Sequence, residues 1–326
     1  MSAPTPGLLM TLAGIAYGWP EDIPGYVHGI GEPGDWSVVW MPAASPDTAP
    51  PNFAYVATSR STGAIVVAIR GTYPDPLSSA YWDDANQDSP FGPMHDWPNA
   101  QNSGAQVSGG TFEGFSSLKA IVGADGKTLE DYLSQLASAD DVWITGHSLG
   151  GTLAPVLGLW LSSLPAAPLP RVMSFAGMTP GNAAFAALFG PGTPLDGRVV
   201  RCFNTLDTVS YGWNDVLGTV GFYKPEPKGG ALVDALLALT AARLVGYGYT
   251  PVGTPLPLQG VVQPPQVSCE LVAYVLENLH QHLPDTYLSL LGAPPLPFTI
   301  GFGSVVKRGS AEKSAGSARH LDTVFL

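Results

Sequence analysis

The chain has 326 residues, of which 45% are hydrophobic, and it contains 39 glycines and 32 prolines. This length can bury one large core, and no repeat or low-complexity linker divides it, so we expect a single domain over residues 1–326 with long surface loops. The formal net charge of −12, with 14 lysines and arginines together, excludes the cationic surface that nucleic-acid-binding proteins need, so we expect neutral partners.

The two ends of the chain carry little functional information. Residues 8–17 are apolar, but they lack a preceding cationic segment and are shorter than a membrane span, so we interpret them as a first packed helix. Without a transmembrane segment or an export signal, we expect an extracellular protein if the sequence is a mature or trimmed form, and a cytoplasmic one otherwise. The polar residues 303–326 predict a mobile tail.

Strand and helix patterns alternate along most of the chain. Apolar runs bounded by turn residues predict buried strands at residues 36–40, 64–69, 141–145, 171–175 and 198–203. Helix-like segments occupy residues 112–121, 128–137, 149–164 and 182–188. Because this alternation requires crossover connections, the expected fold class is α/β, with a central, mostly parallel sheet flanked by helices.

Two long excursions interrupt the alternation, at residues 73–111 and 224–265. The second contains an apolar stretch at residues 231–245. Long connections inside a compact domain are usually functional, so both excursions are lid candidates.

The strand predicted at residues 141–145 leads into Gly146-His-Ser-Leu-Gly-Gly151 and then into an apolar helix. This is the G-x-S-x-G pattern of a nucleophile elbow, in which Gly146 and Gly150 avoid a collision at a sharp strand-to-helix turn. The turn would lift the hydroxyl of Ser148 above the sheet. It would also aim the backbone N–H of Leu149, at the helix N-terminus, at a developing oxyanion.

This elbow resembles that of the fungal-type (class 3) lipase family, and further segments between residues 54 and 291 resemble that family in the same order. The resemblance implies an α/β-hydrolase fold. Arg70-Gly-Thr72 resembles the family's oxyanion loop, so Thr72 would supply a second backbone N–H. In the family the lid follows this strand, which makes residues 73–111, with Trp82, Phe91, Met94 and Trp97, the natural lid.

The resemblance also points to an acid and a base. Asp207 follows a predicted strand in a segment that resembles the family's Asn-x-x-Asp-x-Val, and Asp215 is the nearest rival. His282 resembles the family's catalytic histidine and is expected in a loop before a helix. His280 and His320 are the alternatives, whereas His147 inside the elbow is expected to pack rather than to act as a base.

These residues predict a serine carboxylic-ester hydrolase with a Ser148-Asp207-His282 triad, most simply a lipase acting on triacylglycerol or related long-chain esters at a lipid–water interface. A phospholipase, polyesterase or short-chain esterase would use the same machinery, as would an acyltransferase, and a non-catalytic binding module is the non-enzymatic alternative. No cofactor and no metal is predicted. Cys202 and Cys269 could pair or remain separate thiols, and the oligomeric state stays open.

Overall fold

A computed structural model describes residues 3–30, 35–43, 52–73, 84–100, 102–138, 140–224, 226–301 and 304–307. The strands are numbered in chain order: β1 Trp36–Trp40, β2 Ala54–Ser59, β3 Ile65–Ile69, β4 Met94–Asp96, β5 Gln106–Ser108, β6 Val142–His147, β7 Arg171–Phe175, β8 Val199–Asn204, β9 Thr254–Leu258, β10 Phe298–Gly301 and β11 Ser304–Lys307. The helices are numbered likewise: α1 Pro6–Ile15, α2 Ile23–His28, α3 Gly109–Ala120, α4 Leu129–Leu133, α5 Leu149–Ser162, α6 Ala183–Ala187, α7 Gly230–Leu244, α8 Glu270–His282 and α9 Pro284–Leu290.

The central sheet contains seven strands in the order β1-β2-β3-β6-β7-β8-β9. The β1–β2 and β2–β3 pairs are antiparallel, and every later pair is parallel. The expected α/β class with a mostly parallel sheet is therefore confirmed. The carboxyl ends of β3, β6, β7 and β8 meet at one edge, which is where parallel sheets build their sites.

Two strands of the sheet were not predicted, β2 and β9. Strand β9 has the sequence Thr-Pro-Leu-Pro-Leu, and its two prolines resemble a turn rather than a strand. Because β9 is the last strand of the sheet, its prolines can lie on an unpaired edge. The second long excursion therefore contains a sheet strand as well as helix α7.

Each face of the sheet has its own apolar core. Along β3, Val67 and Ile69 pack into the cluster that contains α3 and α5, whereas Val66 and Ala68 pack into the cluster that contains α1 and α9. Successive side chains of a strand point to opposite faces, so this alternation buries β3 on both sides. Helices therefore cover the sheet on both faces, as the α/β prediction requires.

The predicted helix boundaries were partly too long. Helix α4 covers only Leu129–Leu133 of the predicted segment 128–137, and it begins with a capping box in which Thr128 and Asp131 satisfy each other's backbone N–H. At the chain's end, residues 304–307 of the predicted tail form β11, paired with β10. Residue 303 and residues 308–326, with His320, lie outside the described residues.

The two long excursions pack against each other in a third apolar cluster, which we call the cap cluster. It consists of Val216, Leu244 and Tyr249 with Phe91, Met94, Trp213, Leu237, Ala241 and Tyr247. Polar contacts reinforce it, since Tyr249 Oη donates to the carbonyl of Pro90 at 2.8 Å and Gly92 N donates to Tyr247 Oη at 3.2 Å. Trp82 lies outside the described residues. Trp97 belongs to the apolar core that contains α3 and α5, and not to the cap cluster.

Candidate active site

Ser148 occupies a sharp turn between the end of β6 and the start of α5. Its backbone has φ 59° and ψ −125°, a left-handed conformation that a non-glycine residue rarely adopts. The turn is fixed in part by the backbone N–H of Ser148, which donates to Phe175 O on the neighbouring β7 at 3.0 Å. Such strain persists only where the surrounding structure holds it, and it is common at functional sites.

The two elbow glycines leave no room for a side chain. A Cβ on Gly146 would lie 2.3 Å from Gly150 O, and a Cβ on Gly150 would lie 2.2 Å from Ile69 O. Both contacts are with backbone atoms, which cannot rotate away. The close approach therefore requires glycine at both positions, for the steric reason that the sequence pattern implied.

The structure brings Ser148, His282 and Asp207 into one hydrogen-bonded chain. His282 Nε2 lies 2.9 Å from Ser148 Oγ, and His282 Nδ1 lies 3.0 Å and 3.1 Å from the two carboxylate oxygens of Asp207. The expectation that His282 stands in a loop was wrong, because it is the last residue of α8. The helix ends there because Leu283, which precedes a proline, is extended, and α9 begins at Pro284.

Asp207 lies just beyond β8 and is fully buried. Burial, the largest influence, raises its pKa, but the charge of His282 and hydrogen bonds from His282, Tyr287 and Ser210 together hold the pKa below its usual value. Tyr287 Oη donates at 2.7 Å and Ser210 Oγ at 2.9 Å. The carboxylate is therefore ionised and fixed, as a partner for His282 Nδ1–H must be.

The hydrogen-bonded chain at Ser148 includes neither Asp215 nor His280. Asp215 accepts the backbone N–H of Gly218 at 3.0 Å within its own turn. His280 lies two residues before His282 on α8, and burial lowers its pKa.

His147 forms a second layer behind the site. Its ring is buried, with Nε2 lying 2.7 Å from the carbonyl oxygen of His282 and Nδ1 lying 3.0 Å from Tyr17 Oη. Because a carbonyl can only accept, Nε2 carries the proton and Nδ1 accepts from the tyrosine. Burial and then the charge of His282 lower the pKa of His147 to about 3, so the ring is neutral at pH 7. His147 packs, as expected, and it also holds the backbone of His282.

The loop after β3 lies directly against the elbow. A Cβ on Gly71 would fall 2.5 Å from His147 O and 2.9 Å from Ser148 Cβ. This contact places the following residue, Thr72, beside the turn that also presents the N–H of Leu149. The hydroxyl of Thr72 donates to Asp88 Oδ2 at 2.7 Å.

Buried charges support this loop from behind. Arg70 Nη2 lies 3.3 Å from Asp84 Oδ2, and both side chains are almost fully buried. Asp84 also accepts the backbone N–H groups of Asn52 and Tyr73, both at 2.9 Å. Burial raises the pKa of Asp88 to about 7, although its hydrogen bond from Thr72 acts in the opposite direction.

Five supporting residues of the site were not predicted from sequence: Tyr17, Asp84, Asp88, Ser210 and Tyr287. Tyr17 and Tyr287 lie 131 and 139 residues from Ser148 in sequence, and nothing in a single sequence shows which distant tyrosine meets a given carboxylate or imidazole. Asp84 and Asp88 had a weak signal, since they are acidic residues in the excursion that follows Arg70.

The remaining predictions concern cysteines, metals, membranes and cavities. Cys202 is buried and Cys269 is exposed, and both are free thiols. Among the described residues, no group of three or more His, Cys, Asp or Glu side chains could hold a metal ion, and no helix has the length and apolarity to cross a bilayer. A cavity of about 650 Å³ lies between Trp97, Phe115 and Trp160, and its lining does not include Ser148, His282 or Asp207.

Comparison with known proteins finds similarity to lipases in both sequence and fold. Residues 66–211 match the class 3 lipase family. The crystal structure of M37 lipase has a TM-score of 0.71 at 26% identity, covering 90% of this chain and 96% of that chain. Weaker likenesses are a Rhizomucor miehei triacylglyceride lipase (TM-score 0.49, 17% identity, 77% of each chain) and the Lip2 lipase of Yarrowia lipolytica (0.46, 16%, 84% of this chain and 91% of that chain). None of the curated proteins matches in sequence. The fold is the α/β-hydrolase fold.

Proposed function

Because residues 66–211 match the class 3 lipase family and the protein is a triacylglycerol lipase-like serine hydrolase, we propose that it hydrolyses triacylglycerols or related long-chain esters through an acyl-enzyme on Ser148. The observation that carries the proposal is the continuous chain from Ser148 Oγ through His282 to Asp207. It supplies a nucleophile, a base and an orienting carboxylate within hydrogen-bonding distance.

The proton positions follow from the partners. Asp207 is ionised and can only accept, so His282 Nδ1 carries a proton and Nε2 presents a lone pair to Ser148 Oγ–H. In the acylation step, Nε2 takes this proton while Oγ attacks the ester carbonyl. The resulting imidazolium is stabilised by Asp207, and it then protonates the leaving alcohol. Water, activated by the same nitrogen, hydrolyses the acyl-enzyme.

The backbone N–H groups of Leu149 and Thr72 would bind the tetrahedral oxyanion. Leu149 is the first residue of α5, so its N–H is one of those that a helix leaves without an internal partner. Each such donor typically contributes about 10²- to 10³-fold in rate. No cofactor is needed for any of these steps.

The excursions at residues 73–111 and 224–265 would form the lid and the acyl-binding side of the site. Their described parts meet in the cap cluster, which is apolar and borders the segment that follows Asp207 through Trp213 and Val216. Burying each methylene of an acyl chain contributes about 0.8 kcal/mol, so an apolar cap favours long-chain esters. The residues 74–83 lie outside the described part of the chain.

The proposal is tested with a panel of esters of increasing acyl length, measured below and above the solubility limit of each substrate. We expect the native protein to hydrolyse the panel, with a rise in rate once the long-chain esters form an interface. Ser148→Ala should lose activity by about 10⁴-fold or more and should lose labelling by a fluorophosphonate. Hydrolysis of short soluble esters alone would replace the lipase with an esterase, and full activity of Ser148→Ala would overturn the mechanism.

A further inference from the structure

Most of the exposed large apolar side chains in the described residues lie between residues 217 and 275, beyond the family match at residues 66–211. Two helices contribute the densest part, α7 and the first half of α8. We call the following six side chains the α7–α8 surface: Leu232, Leu236, Leu239, Leu271, Val272 and Val275.

Helix α7 is apolar on both of its faces. Its inner face packs Leu237, Ala241 and Leu244 into the cap cluster. Its outer face carries Leu232, Leu236 and Leu239 at the i, i+4 and i+7 spacing of one helical stripe, and these are 60%, 54% and 59% exposed. Soluble proteins rarely expose a contiguous row of large apolar side chains, so the outer stripe of α7 indicates a surface that is covered when the protein works.

A groove joins α7 to α8. It has a volume of about 300 Å³, and its lining includes Val220, Val233 and Leu237 together with Tyr274 of α8. Leu271 and Val275 lie one turn before and one residue after Tyr274. Lys224, Lys228 and Asp234 also line the groove, so charged side chains, two of the three cationic, border the apolar surface.

The surface is built on the segments that complete the site. Asp207 is followed by a short 3-10 turn, Thr208–Tyr211, which leads on to α7, while α8 ends at His282. At 1.5 Å per residue, Leu271 lies ~16 Å along α8 from His282. The surface is therefore continuous with the structure that carries the acid and the base.

We propose that the α7–α8 surface docks this protein on a lipid–water interface of neutral or zwitterionic lipid, a role that rests on the proposed lipase function. The six side chains are all aliphatic, which suits acyl chains, whereas protein-binding hot spots are enriched in Trp, Tyr and Arg and depleted in Leu and Val. Lysines at the rim of an apolar surface can extend their ammonium groups to lipid headgroups. The net charge of −12 disfavours an anionic surface.

The test measures binding in the absence of turnover. Ser148→Ala protein is mixed with phosphatidylcholine vesicles, and separately with a triolein emulsion, and the bound fraction is measured by flotation. The test variant adds Leu232→Gln, Leu236→Gln and Leu239→Gln, because glutamine keeps the helix propensity of leucine. The matched control adds Leu169→Gln, an exposed leucine outside the surface. Unchanged thermal melts establish that each variant is folded.

We expect the triple variant to bind at least about tenfold more weakly than its parent, and the control to bind like the parent. When the three leucine substitutions are made in the active protein, with Ser148 intact, kcat/KM on a soluble short-chain ester should be unchanged. Vesicles containing phosphatidylglycerol should bind the parent less well. Equal binding of parent and triple variant would overturn the proposal. So would a parent that binds neither the vesicles nor the emulsion, or a parent that forms a dimer that the three substitutions abolish. Failure of the lipase function would appear separately, as absent hydrolysis by a protein that still binds.

Discussion

The polar network around Asp207 is buried and closely bonded, whereas the cap cluster is held near the surface by apolar contacts and two hydrogen bonds. Asp207 receives hydrogen bonds from His282, Tyr287, Ser210 and the backbone N–H of Val209. In the cap cluster, only three residues are buried, and the remainder are partly exposed.

Under the proposed function the two regions meet different requirements. A catalytic network must hold its groups in one geometry, and a carboxylate with four donors has little freedom to move. A cap that admits a bulky ester must open, and local regions with few buried contacts open at the lowest cost in free energy. The comparison predicts that substitutions in the network change the rate on every substrate, whereas substitutions in the cap change the response to lipid surfaces.

The largest effect is expected from Asp207→Asn. Asparagine has one accepting oxygen where the carboxylate has two, its amide nitrogen can only donate, and it carries no charge, so His282 loses the partner that fixes its tautomer and stabilises its cation. In serine proteases the equivalent change lowers kcat by about 10⁴-fold, and we expect a loss of that order on a soluble ester. Asp215→Asn is the matched control and should leave kcat unchanged. The reverse ranking of the two variants would assign the role to Asp215.

The next effect concerns His147, which holds the backbone carbonyl of His282. His147→Leu removes that N–H donor and leaves Tyr17 Oη with only its longer contact to the carbonyl of residue 147, at 3.5 Å, so His282 should shift relative to Ser148. We expect kcat on a soluble ester to fall by up to about 10²-fold with little change in KM, because misplacement of this size affects the reaction more than binding. His147→Gln offers one donor and one acceptor and should recover most of the loss. Equal activity of the leucine variant would limit His147 to packing.

A smaller effect is a pH dependence of the free energy of unfolding, to which two buried groups contribute. His147 has a pKa of about 3 in the fold, so the unfolded chain binds its proton more readily, and the stability that its neutral form contributes is lost as pH falls from 6.5 towards 3. Asp88 has a pKa of about 7 in the fold, so its contribution has the opposite sign and is lost as pH rises from about 4 to 7. Each slope is at most about 1.4 kcal/mol per pH unit.

Urea unfolding between pH 4 and pH 7 would separate the two slopes. Relative to the native protein, His147→Gln should become less stable as pH rises. The loss of stability from Asp88 is then no longer offset by the gain from His147. Asp88→Asn should show the reverse trend. Parallel pH profiles for all three proteins would mean that neither group titrates between these limits.

Sequence reasoning was most successful where chemistry and local geometry coincide. The elbow could be predicted because its glycines are required by contacts within a few residues, such as Gly146 against Gly150. The position of Asp207 beside His282 agrees with the prediction, which rested on the resemblance of its segment to that of the class 3 lipases and on its place after a strand, at the sheet edge. Strand β9 was missed because its prolines oppose a strand, and only its position at the edge of the sheet makes them acceptable.

The supporting residues could not be predicted from the sequence, for a different reason. The contact of Tyr17 with His147 joins positions 130 residues apart, and neither residue carries a local pattern that identifies the other. The same holds for the meeting of the two excursions, in which Tyr249 donates to Pro90 across 159 residues. Contacts of this kind depend on the finished fold.

The smallest effect is expected from Arg243→Gln in the cap. The guanidinium of Arg243 lies 3.9 Å from the ring centroid of Phe91 and so ties α7 to the other excursion. An exposed cation–π contact contributes about 0.5–1 kcal/mol, so its loss should loosen the cap with little effect on the melting temperature. Hydrogen exchange should become faster in α7, and hydrolysis of emulsified long-chain esters should change by a few-fold, while kcat/KM on a soluble ester stays constant. Arg60→Gln, in the turn between β2 and β3, is the matched control. A parallel loss on both substrates would show that the cap and the polar network move as one unit.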